Sequence, residues 1–202
     1  MPKSNYVFSK QDYNNTNGML TSVWGPSFWH VLHTISVNYP LNPSCEDKEN
    51  YKNFIVSLKN VLPCKYCREN LTKNLKIHPL NSEALKNRET FSKWMYKLHE
   101  IVNKYLGKKS GLKFRDVQDR YEHFRARCSS DIKANSKKAP VPKSNKKSVQ
   151  KGGANTNKNK HLGCTNSVYG VKARCKLQIV PHSYKGETLS IHNKCKGKRD
   201  TT

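Results

Sequence analysis

Cys64 and Cys67 form a Cys-x-x-Cys pair that directly follows Pro63. An apolar helical pattern is interrupted at Pro63 and the next one starts at the cysteines, which predicts that Cys64 lies at the N-terminus of a helix. Unpaired backbone N–H groups at such an end stabilise a thiolate, and a second cysteine one turn later can resolve a mixed disulfide. Cys64 and Cys67 are therefore the candidate catalytic residues of a thiol–disulfide reaction.

The same pair is also typical of one half of a zinc site, but a complete zinc site would need two further ligands. The sequence contains no second Cys-x-x-Cys or Cys-x-x-His pair. We therefore favour redox chemistry and predict no metal site, with a zinc-stabilised basic module that binds nucleic acid as the alternative. The sequence leaves open the roles of the other five cysteines: Cys45, Cys128, Cys164, Cys175 and Cys195.

Histidines follow tryptophans in two predicted helices, one on each side of the cysteine pair. Trp29 precedes His33 in the first, and Trp94 precedes His99 in the other, so we expect each Trp and His to share a helix face. Buried structural histidines are the simpler interpretation of either helix alone. Two such helices around a Cys-x-x-Cys pair favour a large aromatic cofactor held between them.

Polar groups follow closely after His99. Asn103 lies four residues later and so shares the face of His99, and Lys104 and Lys108 come next. Aromatic rings stack on bases, amides bond heteroatoms and cations pair with phosphates. This set of side chains is typical of a nucleotide-binding site.

Periodic apolar residues predict five helices that position these groups. Their expected ranges are 26–38, 46–62, 64–75, 89–106 and 116–126. Phe54, Leu58 and Val61 should be buried in the second helix, and Gly107 should end the fourth. No segment before Cys128 alternates like a strand, so the predicted fold class is all-α, a small bundle of four to five helices.

The chain is strongly and unevenly basic, with a formal net charge of +24. Residues 1–128 contain 21 Lys and Arg against 11 Asp and Glu, and residues 129–202 contain 17 against 3. We predict four parts: a flexible segment at 1–21, the helical domain at 22–128, a disordered Lys/Asn/Ser-rich linker at 129–163 and a basic, cysteine-containing tail at 164–202. The tail's charge favours a polyanion or an acidic protein as its partner.

The amino-terminal residues are polar and lack the apolar core of a signal peptide. No run approaches the roughly 20 apolar residues of a membrane span. We therefore expect no signal peptide and no membrane span, and a chain that starts in the reducing cytosol or reaches another compartment by a different route. Cysteines there more often bind metal or transfer electrons than form static disulfides.

Three motifs, in order along the chain, carry a resemblance to a known family. They are Trp24-Gly25-Pro26 with Trp29–His33, then Leu62–Cys67, then Trp94–Lys108. On these motifs, residues 22–128 resemble the Erv/ALR family of FAD-linked sulfhydryl oxidases, and the Trp-Gly-Pro opening is most similar to members encoded by large DNA viruses. The resemblance implies a helical bundle that binds FAD, a homodimer, and a location in the host cytoplasm or the virion.

The resemblance also implies roles for single residues. Cys67 would be the cysteine beside the flavin ring, and Cys64 the one that exchanges with incoming thiols. The residues implied or favoured around FAD are Trp29, His33, Tyr66, Arg88, His99, Asn103, Lys104, Lys108, Arg120 and Tyr121.

The family's activity implies that dithiols of protein substrates, or of a thioredoxin-like relay, are oxidised through the cysteine pair. Electrons would pass to FAD and then to O2, which gives H2O2. Family members often carry a mobile cysteine pair that shuttles electrons to the core. The cysteines of the tail fit a shuttle, a zinc knuckle or incidental thiols equally well.

Two departures from the family pattern lead to a further interpretation. Glu100 stands where the family has an amide, and its carboxylate would be unfavourable beside a phosphate. Cys128 lies at the second position of a family disulfide whose first cysteine is absent from residues 113–117. A scaffold of the same fold that has lost catalysis is therefore an alternative to the oxidase.

Overall fold

The computed structural model describes residues 9–127, 164, 166–168, 171, 173–187 and 189–196. These fall into two compact units: the described residues of 1–121 with 177–188, and those of 122–176 with 189–196. The predicted linker at 129–163 and Cys128 lie outside the described residues. The predicted domain boundaries therefore stay predictions.

Six α-helices lie between Lys10 and Glu122 in the described part of the chain. They are α1 (Lys10–Tyr13), α2 (Thr21–Val37), α3 (Cys45–Val61), α4 (Lys65–Ile77), α5 (Arg88–Tyr105) and α6 (Phe114–Glu122). The predicted all-α fold class is thereby confirmed.

Capping boxes fix the starts of α3 and α5. Ser44 Oγ accepts a hydrogen bond from the backbone N–H of Asp47 at 3.0 Å, and the Asp47 carboxylate accepts one from the Ser44 N–H at 2.8 Å. Asn87 and Thr90 make the equivalent pair at α5. Each box satisfies N–H groups that the helix leaves unpaired, and a cap of this kind is worth about 1 kcal/mol.

One apolar core joins α2, α3, α4 and α5. Tyr39, Ile55, Phe91 and Met95 are at most 1% exposed. The Tyr39 hydroxyl donates to the Leu85 carbonyl at 3.0 Å, so this buried polar group is satisfied. Because α2 packs on α5 and α3 packs on α4, the core fixes the helices that carry the candidate site.

The ends of the helices agree with the prediction except at α2 and α6. α2 begins at Thr21 rather than Pro26, so Pro26 lies inside the helix, where it leaves one carbonyl of the first turn without its N–H partner. α6 ends at Glu122, and Ala126 belongs to a strand. The sequence prediction omits α1, a single turn that the Ser9 capping box holds.

The buried face of α3 differs from the predicted one. Ile55 and Leu58 are buried, whereas Phe54 and Val61 are 37% and 66% exposed, so those two predictions are wrong. Successive residues of a helix point about 100° apart, and the stripe that faces the core includes Ile55 instead of its neighbour Phe54.

The second unit contains a minimal antiparallel sheet. β1 (Ala126–Arg127) pairs with β2 (Asn166–Ser167), with Ala126 opposite Ser167. A two-residue strand is too short to show alternation in the sequence. None of the helices in the described part of the chain combines the length and the apolar character that a membrane crossing needs.

Candidate functional site

The cysteine pair lies where the sequence predicts it, at the start of α4. Cys64 is the N-cap residue, and its sulfur accepts a hydrogen bond from the backbone N–H of Cys67 at 3.2 Å. Both thiols are free and half-buried, so the structure describes the dithiol form. The N–H donor and the helix dipole both favour negative charge on Cys64.

Cys67 has the opposite environment. Burial raises the pKa of Cys67 to about 12, and the hydrogen bond with Cys64 and the charge of Cys64 add to the effect. The nearby Arg68 acts in the other direction. Cys67 therefore keeps its proton at neutral pH in the dithiol form.

A short backbone pairing holds the segment before Cys64. The N–H of Met19 donates to the Pro63 carbonyl at 2.7 Å, and the N–H of Lys65 donates to the Asn17 carbonyl at 3.2 Å. Gly18 lies opposite Cys64 in an antiparallel bridge. We call residues 17–19 the strap.

Gly18 is the residue that makes the strap's close approach feasible. Its φ is +111°, and a Cβ placed on it would lie 2.5 Å from the Pro63 carbonyl oxygen. A side chain here meets both backbone strain and backbone atoms that cannot move aside. The strap can therefore pack on Cys64 only with glycine at this position.

Gly18→Ala should lower the free energy of unfolding by about 3 kcal/mol, because it adds strain and breaks the two strap hydrogen bonds. Gly111→Ala is the matched control. Gly111 also has a positive φ, +66°, but its added Cβ would meet nothing within 4 Å. We expect a loss of about 1 kcal/mol there. Equal losses in urea unfolding would contradict the close packing of the strap.

Four rings from α2, α5 and α6 form one cluster: Trp29, His33, His99 and Tyr121. Trp29 and His99 stack in parallel, with ring centroids 3.9 Å apart and planes within 4°. His33 Nε2 and His99 Nδ1 are 2.9 Å apart and share a hydrogen bond. Tyr121 stacks on His33 at 5.2 Å. We call these four residues the ring cluster.

Both histidines of the ring cluster are held in the neutral form. Burial lowers the pKa of His33 to about 3, and the positive charges of His99 and His30 add to this. Burial also lowers the pKa of His99 to about 4, although Glu100 acts in the opposite direction. The ring cluster therefore offers flat, uncharged faces at neutral pH.

The low pKa values predict that acid destabilises the fold. Between the ordinary histidine pKa of 6.5 and the folded values of about 3 and about 4, the unfolded chain binds more protons than the folded chain. The free energy of unfolding should thus be retained above about pH 6.5 and fall below it by up to roughly 2.7 kcal/mol per pH unit, about 1.4 for each of the two histidines. Urea unfolding between about pH 7 and 5 measures this slope.

The variant His33→Gln should flatten that slope, since it removes one of the histidines whose pKa burial lowers. His182→Gln, at an exposed histidine outside the ring cluster, is the control and should keep the wild-type slope. A slope that stays the same in His33→Gln would show that His33 is not the group responsible.

Cations lie next to the ring cluster. Lys108 is close enough to His99 for its charge to lower the pKa of His99, and Lys104 is exposed in the last turn of α5. Arg120 directly precedes Tyr121 and is half-buried. The structure therefore brings the charges of Lys108 and Arg120 close to the neutral rings, whereas Lys104 is an exposed residue near the end of the same helix as His99.

Asn103 and Glu100 interact with each other on α5. The Asn103 side-chain amide donates to the Glu100 carboxylate at 2.9 Å. The carboxylate that looked unfavourable beside a phosphate thus has a partner within its own helix. One N–H of the amide is used by this bond, and the other remains available to a ligand.

Two predicted site residues lie apart from the ring cluster. Arg88 Nε donates to the Tyr39 carbonyl at 2.5 Å, and Arg88 is roughly 16 Å from His99 along the axis of α5. Tyr66 is 71% exposed between the two cysteines. The structure brings neither into contact with the four rings.

The expectation that Trp94 shares a face with His99 is wrong. Trp94 is buried in the core, where it stacks on His78 at 5.2 Å and donates its Nε1–H to the Pro79 carbonyl at 3.2 Å. Five residues correspond to about 500° of rotation, so Trp94 and His99 point in different directions. His99 stacks on Trp29 of α2 instead.

Sequence reasoning missed His30. Its ring lies 5.5 Å from that of Tyr121, and burial lowers its pKa. The signal was present, because His30 and His33 are three residues apart and therefore lie on one side of α2.

The remaining cysteines are described only in part. Cys45, Cys175 and Cys195 are free, and Cys164 is disulfide-bonded. Among the residues that the structure describes, no three His, Cys, Asp or Glu side chains are arranged to bind a metal ion.

Comparison with known proteins identifies the family. Residues 26–125 match the model of the Erv1/Alr family. An "FAD-linked sulfhydryl oxidase" of African swine fever virus is 35% identical over 86 residues, which cover 43% of this chain and 70% of the relative. The chain belongs to the Erv1/Alr family.

A second viral relative and a solved structure also match this chain. A protein of Acanthamoeba polyphaga mimivirus named "Probable FAD-linked sulfhydryl oxidase" is 43% identical over 86 residues, and the match covers 43% of this chain and 60% of that protein. The crystal structure of the yeast Erv1 core is 26% identical, with a TM-score of 0.46 over 60% of this chain and 94% of that one.

Proposed function

We propose that this chain is a FAD-dependent thiol oxidase that forms disulfide bonds in protein substrates. The observation that carries the proposal is a Cys-x-x-Cys pair at a helix N-terminus, in the same helical unit as a cluster of neutral, flat rings with cations beside it. The names of the viral, plant and yeast relatives support the same activity.

The residues present fit FAD. The flavin and adenine rings need flat, uncharged surfaces, and the pyrophosphate needs cations. Trp29, His33, His99 and Tyr121 would contact the rings, and Lys104, Lys108 and Arg120 would pair with the phosphates. Because Trp29 and His99 touch each other at 3.9 Å, the cofactor would lie against the ring cluster and not between these two rings. FAD, when bound, accepts two electrons from a dithiol and passes them to O2, which gives H2O2.

The chain's own chemistry is thiol–disulfide exchange in two steps. A substrate thiolate attacks Cys64 Sγ of the Cys64–Cys67 disulfide, forms a mixed disulfide and releases Cys67 as a thiolate. A second substrate thiolate attacks the substrate sulfur of the mixed disulfide and releases Cys64. The substrate has then lost two electrons, and Cys64 and Cys67 have gained them.

The geometry supports Cys64 as the residue that the incoming thiol attacks. Cys64 is the N-cap, where the Cys67 N–H supports negative charge on its sulfur during each step. Arg68 is anchored by a hydrogen bond from Nη1 to the Leu62 carbonyl at 2.6 Å and lies near enough to Cys67 to lower its pKa. Arg68 is therefore the side chain that would stabilise the departing Cys67 thiolate.

The direct test is oxygen consumption by the FAD-loaded protein in the presence of dithiothreitol. The oxidase should consume one O2 and form one H2O2 for each dithiol oxidised. A protein that binds FAD but consumes no O2 would favour the inactive scaffold. A protein that takes up stoichiometric zinc and no FAD would favour the zinc-stabilised module.

The partners and location that the family resemblance implies are also proposals. We infer that the substrates are protein dithiols or a thioredoxin-like relay, that the enzyme is a homodimer, and that it acts in the host cytoplasm or the virion. Viral relatives support the last of these. A polyanion or acidic protein remains the proposed partner of the basic tail.

A further inference from the structure

An apolar depression lies directly beside Cys64. It has a volume of about 240 Å³ and is lined by Met19, Leu20, Val23, Trp24 and Pro63. Pro63 is covalently joined to Cys64, and Met19 belongs to the strap. The depression therefore lies within one residue of Cys64 along the chain, on the side where the strap packs.

The lining is unusually exposed for its apolar character. Met19 and Leu20 are 69% and 70% exposed, and Val23 is 41% exposed. Single exposed apolar side chains are ordinary, but a contiguous group marks a binding surface. A hydrogen bond also holds two of the lining residues together, because Trp24 Nε1–H donates to the Met19 carbonyl at 3.1 Å.

The strap blocks another way of recognising a substrate. An extended polypeptide could pair with the backbone on either side of Cys64, but the Pro63 carbonyl and the Lys65 N–H already bond to the strap. Recognition on the strap side of Cys64 is therefore left to side chains, and those that line the depression there are apolar, whereas the exposed Lys65 and Tyr66 follow Cys64 on α4.

We propose that this depression binds an apolar side chain adjacent to the reactive cysteine of a polypeptide substrate, an inference that rests on the proposed oxidase function. The occupant is an aliphatic side chain such as leucine in an extended, cysteine-containing segment. A cavity of roughly 150 Å³ lined by apolar side chains holds benzene, so 240 Å³ is ample for one leucine side chain. The mixed disulfide with Cys64 holds the substrate cysteine in place, and the substrate residue next to that cysteine would then reach the depression.

The test measures exchange at Cys64 without flavin turnover. In the Cys67→Ser protein, the Cys64 thiolate attacks a peptide cysteine that carries thionitrobenzoate as a mixed disulfide. The Cys64–peptide disulfide forms, the peptide–thionitrobenzoate bond breaks, and the coloured thionitrobenzoate thiolate is released. The same protein with Cys64→Ser added gives the background from other cysteines.

Two peptides that differ only in leucine or asparagine beside the cysteine are compared. We expect the leucine peptide to react about tenfold faster, and Leu20→Ser to reduce this preference to about twofold. Leu20 is the N-cap of α2, where serine is favoured, so the variant should fold. Leu41→Ser, at a leucine that is 64% exposed and does not line the depression, should keep the tenfold preference.

Equal rates for the two peptides in the Cys67→Ser protein that keeps Leu20 would overturn the proposal. This result is also expected if a second copy of the chain covers the depression. A preference that survives Leu20→Ser would also overturn the proposal. The outcome is separable from the oxidase proposal, because the exchange needs neither FAD nor O2. A protein without oxidase activity that still prefers the leucine peptide would refute the oxidase and retain the binding site.

Discussion

Cys67→Ser should abolish thiol oxidation, with a fall in turnover of about a thousandfold or more. Serine cannot form the disulfide with Cys64, so an incoming substrate thiolate has no bond to break and no leaving thiolate to displace. The fold should remain, since Cys67 is half-buried and serine is smaller. The measurement is O2 consumption by the FAD-loaded variant with dithiothreitol.

Cys45→Ser is the matched control for Cys67→Ser. Cys45 is free and exposed at the first residue of α3 and contributes to no contact of the ring cluster. Its turnover should stay within about twofold of the wild type, the range expected for exposed substitutions. Wild-type turnover in Cys67→Ser would refute the role of the pair, and a similar loss in both variants would point to a general effect on folding.

Trp29→Leu should weaken FAD binding by about thirtyfold to a hundredfold. The change keeps an apolar side chain next to α5 but removes the ring that stacks on His99 at 3.9 Å. Loss of one stacking aromatic costs about 1–3 kcal/mol of ligand binding, which gives a change of this size. Titration of the cofactor-free protein with FAD, followed by flavin fluorescence, measures the Kd.

Two control variants show whether the loss of affinity in Trp29→Leu comes from the missing ring. Trp29→Tyr keeps a ring and should recover most of the affinity, whereas a purely structural role for Trp29 would not distinguish leucine from tyrosine in this way. Tyr105→Leu changes an aromatic residue on α5 that is 75% exposed, and its Kd should match the wild type. Wild-type affinity in Trp29→Leu would exclude Trp29 from the cofactor site.

Local signals account for what the sequence predicts well. The start of α4 at Cys64 follows from Pro63 and the change of apolar periodicity, and the structure has Cys64 as the N-cap. The starts of α3 and α5 carry capping residues at the expected spacing, Ser44 with Asp47 and Asn87 with Thr90. Each of these features depends on residues within a few positions of one another.

Contacts between helices account for what the sequence does not predict. Trp94 and His99 lie on one helix, but the core holds Trp94 and leaves His99 to stack on Trp29 of α2. The rotation of α5 about its own axis is decided by packing with α2, α3 and α4. Spacing within a single helix cannot specify it.

The strap is the clearest case of a feature without a sequence signal. Its pairing with residues 63–65 uses backbone hydrogen bonds, which any residue except proline can make. Gly18 is the one residue type that the packing of the strap on Cys64 requires. A glycine after Asn17 is also typical of an ordinary turn, so it does not indicate this packing. The apolar depression beside Cys64 depends on the strap and is hidden from the sequence for the same reason.

The most direct test of the central claim is the visible absorption spectrum of the FAD-loaded protein during anaerobic addition of dithiothreitol. We expect the band of oxidised flavin to bleach in the wild type, to return when air is admitted, and to bleach more slowly in Cys67→Ser. A bound flavin that keeps its band with excess dithiothreitol, or that bleaches equally fast without Cys67, would contradict electron transfer through the Cys64–Cys67 pair.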